Sequence, residues 1–385
     1  MPRLPYPGLR PYEKAEASYF CGRGGEISVL VDSFKEQAAD RGKLMVIYGP
    51  SGVGKTSLVF AGLWPLIRVA NDVARMEHLV PNPTEDLLGF TQRVRLLVGR
   101  LSGSSSDRPL VFIDDLDQLF GFPMEGEIDD ETANILVNWL EFLAQATKRG
   151  LARIVIGIRE PWSRFLEEAP NSRSFLETRM EFFRLNFMSA AGFEEFLQKP
   201  IERWKNAPGG GGEMIDTLFF KQFFYEMSAN PGALPLANLM MQTILAAGEK
   251  KRAATYDSYV QKGGLIGFIL EYAEKTFLGW PKDLQKRLPI FTELFRAAQT
   301  ENSEHGVRSA MAKPLVADPD TREIAGHLLI ARLLCIKGDR WENAEFQVCH
   351  DQFLEDWDRT ARPESERLAE RQAQDTGESF RAMAS

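Results

Sequence analysis

Gly49-Pro50-Ser51-Gly52-Val53-Gly54-Lys55-Thr56 constrains this chain more than any other stretch. An apolar run, Leu44-Met45-Val46-Ile47-Tyr48, precedes it, and a helix-like run, Ser57-Leu58-Val59-Phe60-Ala61-Gly62-Leu63, follows. G-x-x-x-x-G-K-[ST] between a strand and a helix is a phosphate-binding loop. Gly49, Gly52 and Gly54 allow backbone angles that turn successive N–H groups inward on a phosphate. The helix starting near Lys55 adds its partial positive end. Lys55 is expected to reach the β- and γ-phosphates, and the Thr56 hydroxyl to sit on Mg²⁺. Pro50, Ser51, Val53 and Ser57 belong to the same expected nucleotide-binding set. The expected ligands are ATP or ADP with Mg²⁺.

The second signal is Leu110-Val111-Phe112-Ile113-Asp114-Asp115-Leu116-Asp117. An apolar run of this kind is a buried parallel strand, and its acids fall at the end that faces the ligand crevice of an open α/β sheet. Beside a phosphate loop, Asp114 is expected to hold Mg²⁺, directly or through water. Asp115 or Asp117 could polarise the attacking water; ordinary capping of the next helix is the alternative for both.

Further apolar runs complete a sheet. Met76 to Val80 reads as a strand stopped by Pro81-Asn82-Pro83, with a helix from about Thr84, a candidate N-cap. Residues 25–40 and 132–148 read as amphipathic helices, and Arg153 to Arg159 and Phe182 to Phe187 as strands. Strands alternating with helices predict a parallel α/β sheet of five strands. The strand lying between the loop strand and the acidic strand places the fold with P-loop ATPases that have an inserted central strand.

After residue 188 the pattern turns helical. Helices are expected at about 214–228, 233–247, 265–277, 284–299 and 321–334. Arg332 to Ile336 and Ala344 to His350 flank a turn and read as a hairpin. A hairpin after a helix bundle suggests a winged-helix unit, with a plain helical bundle as the alternative. The expected divisions are an N-terminal segment 1–40, a P-loop domain 41–188, a helical lid 189–262, a winged-helix domain 263–361 and a polar tail 362–385. The aromatic-rich start, Pro5 to Arg23, is expected to pack on the rest of the chain.

With 385 residues, two to four domains are expected. A net charge of −8 argues against a general nucleic-acid or anionic-membrane binder. Cys21, Cys335 and Cys349 are too scattered for a zinc site or a disulfide framework. No apolar run approaches 18 residues and the N-terminus does not read as a signal peptide, so the cytoplasm is the expected compartment.

Several motifs together resemble the STAND class of signalling P-loop NTPases, in its bacterial "novel STAND" branch, over about residues 5–360. These are Pro7-Gly8-Leu9-Arg10-Pro11-Tyr12, Tyr19-Phe20-Cys21-Gly22-Arg23-Gly24-Gly25-Glu26, the phosphate loop, Asp114 to Phe120, Gly232-Ala233-Leu234-Pro235-Leu236, Gly263-Gly264-Leu265, and His350-Asp351-Gln352-Phe353-Leu354-Glu355-Asp356-Trp357. The resemblance implies that Gly22 and Arg23 lie near the adenine and that Pro235 of the lid packs there too. It implies that Arg159 senses the γ-phosphate and that His350 contacts the β-phosphate in a closed ADP state. Asp117 stands where the family has a glutamate, and the shorter side chain implies slow hydrolysis.

The resulting expectation is an ATP/ADP-dependent switch in bacterial defence or stress signalling that oligomerises on activation. Effector and sensor partners would act in trans or on a missing part of the chain, so the chain is a bare switch, a fragment or one subunit. The rival is an AAA-type mechanical ATPase. A nucleic-acid loader is a third reading, disfavoured by the acidic balance.

Overall fold

The computed structural model describes residues 4–39, 43–70, 73, 75–82, 85–101, 109–120, 129–167, 180–207, 216–248, 256–300, 309–338, 341–349 and 353. The polar tail and His350 lie outside these residues.

Five parallel strands form the central sheet: β1 (Leu44–Gly49), β2 (Met76–Leu79), β3 (Leu110–Ile113), β4 (Arg153–Arg159) and β5 (Met180–Arg184). Their spatial order is β2-β3-β4-β1-β5. β4 is thus inserted between the loop strand and the acidic strand, with Ile47 opposite Gly157 and Ile113 opposite Ile156. This is the sheet expected of an inserted-strand P-loop ATPase. The inserted strand is β4, which follows both neighbours in sequence; β2, which separates them in sequence, lies at the sheet edge.

Strands of period two carry alternate side chains to opposite faces. Met45, Ile47, Leu110, Phe112 and Val155 pack with Leu30 and Phe34 of α1 (Gly24–Ala39) and with Leu58, Val59 and Leu63. The last three lie in α2, a continuous helical run made of Lys55–Ser57, a π-helical Leu58–Leu63 and Trp64–Ala70. On the other face, Val46, Val111, Ile113, Ile154 and Ile156 meet α3 (Leu87–Leu101) and α4 (Asp130–Lys148) through Phe90, Val94, Leu136 and Trp139. Both faces are covered, which is why the central strands are apolar throughout rather than alternating.

Helix starts follow the available caps. Asp129 accepts from Thr132 N ahead of α4. Ahead of α3 the cap is Asp86, whose Oδ1 accepts from Gly89 N at 2.7 Å, and the helix begins at Leu87. Thr84, the cap expected from sequence, lies outside the described residues. The acidic run leaves the sheet after Ile113; Asp114 and Asp115 lead into a short 3₁₀ turn, Leu116–Leu119. α5 (Ser163–Glu167) follows β4.

Beyond the sheet come α6 (Ala190–Lys205), α7 (Thr217–Ala229), α8 (Leu234–Gly248), α9 (Tyr256–Gln261) and α10 (Gly264–Leu278). The C-terminal unit has α11 (Lys282–Ala297), β6 (Ser309–Met311), α12 (Ala312–Ala317), α13 (Pro319–Ile330), β7 (Leu334–Lys337) and β8 (Glu345–Val348). Its antiparallel sheet has the order β6-β8-β7. The unit thus runs helix–strand–helix–helix–strand–strand, with the three strands in one sheet.

The N-terminal segment does pack on the rest. Tyr6 is fully buried and its hydroxyl donates to Leu197 O at 2.7 Å. Gly8 N donates to Asn238 Oδ1 and Tyr12 N to Ser57 Oγ. This segment therefore bridges α8 and the start of α2.

Candidate nucleotide-binding site

The phosphate loop connects β1 to α2 with positive φ at Gly52 (81°) and Gly54 (97°), a region open to glycine and costly for other residues. A Cβ on Gly49 would stand 2.2 Å from Leu185 O, so the loop begins where two backbones nearly touch. Lys55 opens α2, and its Nζ donates to Gly49 O (2.9 Å) and Pro50 O (3.0 Å). Burial pulls its pKa down to about 8, against the opposing pull of Asp117 and Asp115. A bound phosphate would be a stronger acceptor than two carbonyls and would restore the full charge.

Thr56 Oγ1 donates to Asp114 Oδ2 at 2.7 Å, joining the loop to the end of β3. Two hard oxygens thus lie side by side at the inner end of the loop. That fits Mg²⁺, which takes one or two protein oxygens and completes its octahedron with water and phosphate. Among the described residues no group of three or more His, Cys, Asp or Glu is arranged to hold a metal alone. The space is tight: a Cβ on Gly157 would sit 2.6 Å from Asp114 Oδ1. His78, which the sequence did not single out, has Nε2 3.5 Å from Asp114 Oδ2, with its ring stacked on Phe112.

The three candidate catalytic residues divide into two kinds. Asp117 is buried, and its two oxygens accept from the backbone N (2.9 Å) and Nε (2.5 Å) of Arg159, with Nη2 also in contact. Asp115 faces the cleft instead, in a left-handed conformation with φ 49°. It makes no capping bond, so capping does not account for it. Burial, then the Asp114 and Asp117 carboxylates, raise its pKa. Arg159 also stands over the Trp162 ring, 5.4 Å from its centroid.

The opposite wall comes from elsewhere in the chain. Gly8 to Tyr12 and Phe20 line it with Met188, Phe196, Leu234, Pro235 and Asn238. Pro235 approaches the loop so closely that a Cβ on Gly52 would lie 2.9 Å from its Cγ. Arg23 is buried beneath the loop; its guanidinium donates to Val53 O and Asn186 O, each at 3.0 Å, and pairs with Glu26. Gly22 has φ 85°, and its Cβ would stand 2.1 Å from Gly192 O; it permits a backbone crossing rather than lining the cleft.

Of the residues expected from sequence, Arg23, Ser51, Gly52, Val53, Gly54, Lys55, Thr56, Ser57, Asp115, Arg159 and Pro235 therefore line one cleft. Gly49, Pro50, Asp114 and Asp117 stand directly behind it, through the contacts above. Sequence reasoning missed Asn238, His78 and Arg332. Arg332 lines the cleft from the C-terminal unit, and its Nη1 donates to Ser51 Oγ at 2.9 Å across 281 positions. A second contact joins the same two parts: the Trp162 and Trp341 rings lie 5.9 Å apart.

The family model described as Novel STAND NTPase 1 matches residues 5–378. No curated protein matches the chain. Among solved structures, the Aeropyrum pernix ORC1 protein in complex with DNA is similar at 11% identity with a TM-score of 0.52, covering 90% of this chain and 94% of that one. The Aeropyrum pernix ORC2 protein in its ADPNP–ADP complexes aligns at 13% identity and TM-score 0.49, over 88% of this chain and 93% of that one. At such identities the ORC1 likeness concerns the fold alone.

Proposed function

This chain belongs to the Novel STAND NTPase 1 family and is a P-loop ATPase, and from that premise we propose that it works as a nucleotide-controlled switch rather than a motor. The observation that carries the reading is the contact of the C-terminal unit with the phosphate loop, Arg332 on Ser51. A unit that rests on the phosphate site senses what occupies it. A ligand shifts such an equilibrium only through its different affinity for the two states. ADP favours the closed arrangement in this reading, and ATP an open form that self-associates. Bacterial defence or stress signalling, with effector and sensor proteins as partners, is the setting the family resemblance suggests.

The residue roles follow from the geometry. Lys55 binds the β- and γ-phosphates, and the N–H groups of Gly52 to Thr56 surround them. Thr56 and Asp114 would hold Mg²⁺, which would supply neutralisation of the phosphate charge. Asp115 is the group with access to the cleft, so it orients the attacking water and takes its proton. Asp117 holds Arg159 in position. Arg159 meets the terminal phosphate, and the cleft wall of Gly8–Tyr12, Pro235 and Asn238 takes the adenine. Residues 41–188, 189–262 and 263–361 act as P-loop, lid and winged-helix domains.

Among the described residues no helix is long and apolar enough to cross a membrane. The expectation against nucleic acid rested on net charge alone, and it loses its support: a protein of similar fold, ORC1, is seen with DNA. The nucleotide content of the purified protein, followed by light scattering in ADP and in a non-hydrolysable ATP analogue, tests the switch. ADP carry-over and a larger mass with the analogue support it. Fast turnover stimulated by duplex DNA, with no change in mass, would favour the loader reading.

A further inference from the structure

This inference rests on the nucleotide reading of the cleft and adds a residue to it. α13 ends in paired backbone bonds, Arg332 N to Leu329 O and Leu333 N to Leu328 O. These are the bonds of a Schellman ending, in which the residue after the cap takes positive φ and is ordinarily glycine. Here it is Arg332, with φ 62°. Any Cβ is disfavoured in that conformation, so glycine would serve the helix end better. Persistent backbone strain of this kind points to a use elsewhere.

The use is visible in where the side chain goes. Its guanidinium crosses to the phosphate loop and donates to Ser51, itself buried. The other cations at that end of the cleft are engaged. Arg159 is held by the Asp117 carboxylate, and Lys55 by two carbonyls. Among the described residues, Arg332 has a neutral hydroxyl as its side-chain hydrogen-bond acceptor and no carboxylate at ion-pair distance. A half-buried cation whose side chain has only a neutral acceptor favours the arrival of an anion. Its bond to Ser51 puts it at the phosphate loop, where Asp115 and Asp117 are near enough to act on it electrostatically.

We propose that Arg332 is a phosphate ligand of the nucleotide site, contributed by the C-terminal unit and parked on Ser51 until the phosphate chain of ADP or ATP takes its guanidinium. This contact lies in the turn before β7. It makes the position of α13 and β7 depend directly on the phosphates.

The test uses the full chain with Arg332→Gly and Arg332→Lys. Calorimetry with ADP and with ATP, both in Mg²⁺, is combined with thermal unfolding without nucleotide. Arg332→Gly is expected to weaken binding by about tenfold to a hundredfold, the range of a charge-assisted hydrogen bond. Its nucleotide-free unfolding temperature should stay level or rise, because glycine relieves the positive φ. Arg332→Lys should recover part of the affinity. Unchanged affinity in Arg332→Gly overturns the proposal. So does a fall in nucleotide-free stability that accounts for the lost binding, which would make Arg332 a structural clamp. Wild type and Lys55→Ala are the controls. A wild type that binds neither nucleotide removes the reading of the cleft itself, and the inference with it. A wild type that binds, beside an unaffected Arg332→Gly, removes the inference alone.

Discussion

Asp117 accepts from Arg159 through both the backbone N–H and the guanidinium, and the carboxylate is buried behind the cleft. This pair fixes the end of β4 beside the phosphate loop. It also separates two acids that stand two positions apart. Asp115 is open to the cleft, while Asp117 is committed to holding an arginine.

The separation is testable by mutation. Asp117→Ala leaves Arg159 partly buried without its partner, which should cost about 3–5 kcal/mol of stability. Asp115→Asn should cost little, since asparagine tolerates positive φ and one carboxylate leaves an acidic cluster. Phosphate release should nevertheless fall most in Asp115→Asn. Thermal unfolding and a turnover assay on both variants check this; equal loss of stability in the two would contradict it. Wild-type turnover is expected well below the median enzyme value of ~10 per second.

Magnesium dependence tests the Thr56–Asp114 pair. Asp114→Asn removes an anionic oxygen from the place that fits the cation. Binding of Mg²⁺-ATP should weaken, with much less effect on ADP in chelator. Calorimetry in both conditions distinguishes this from misfolding, which would reduce the two alike.

Lys55 supplies a pH signature. Its pKa in the folded chain is down to about 8, so the folded state binds fewer protons than the unfolded state between that value and the ordinary lysine value. Nucleotide-free stability therefore gains a contribution as pH rises through that window. Nucleotide binding has the opposite sign. The phosphates favour the charged lysine, so a proton is taken up on binding and affinity declines above pH 8, by at most about tenfold per pH unit. Calorimetry at pH 8.5 in buffers of different ionisation enthalpy should show proton uptake in wild type and none in Lys55→Ala.

Much of this site was legible beforehand because its chemistry is local. The phosphate loop, Asp114 and the end of β4 are each marked by short runs whose residue types follow from burial and phosphate binding. What stayed hidden depends on contacts between distant positions. Nothing in the run Asp114 to Asp117 tells that Arg159 engages the third acid and leaves the second free. Arg332 reads as the entry to a hairpin, because a left-handed arginine has no sequence mark where glycine is the rule. β6 is three residues long, too short for a period to appear, and is defined by pairing Ala310 with Phe346. Sheet order likewise comes from pairing, which is why the inserted strand proved to be β4.

The proposed lid has its own test at Gly52. A side chain there meets Pro235 and is strained by the positive φ. Gly52→Ala should push α8 away from the loop and weaken ADP and ATP by similar factors. A variant that binds both as wild type does would show that the lid does not close on the loop.

If bound nucleotide decides whether the C-terminal unit rests on the phosphate loop, the distance between α2 and α13 must change with the nucleotide. Val69 of α2 and Ile330 of α13 are exposed, and all three native cysteines are buried, so Val69→Cys and Ile330→Cys accept spin labels selectively. The measurement is the distance distribution between the two labels, in ADP and in Mg²⁺ with a non-hydrolysable ATP analogue. Nucleotide control of the contact requires one narrow, short distance in ADP and a longer, broader population with the analogue. The same distribution in both would contradict it.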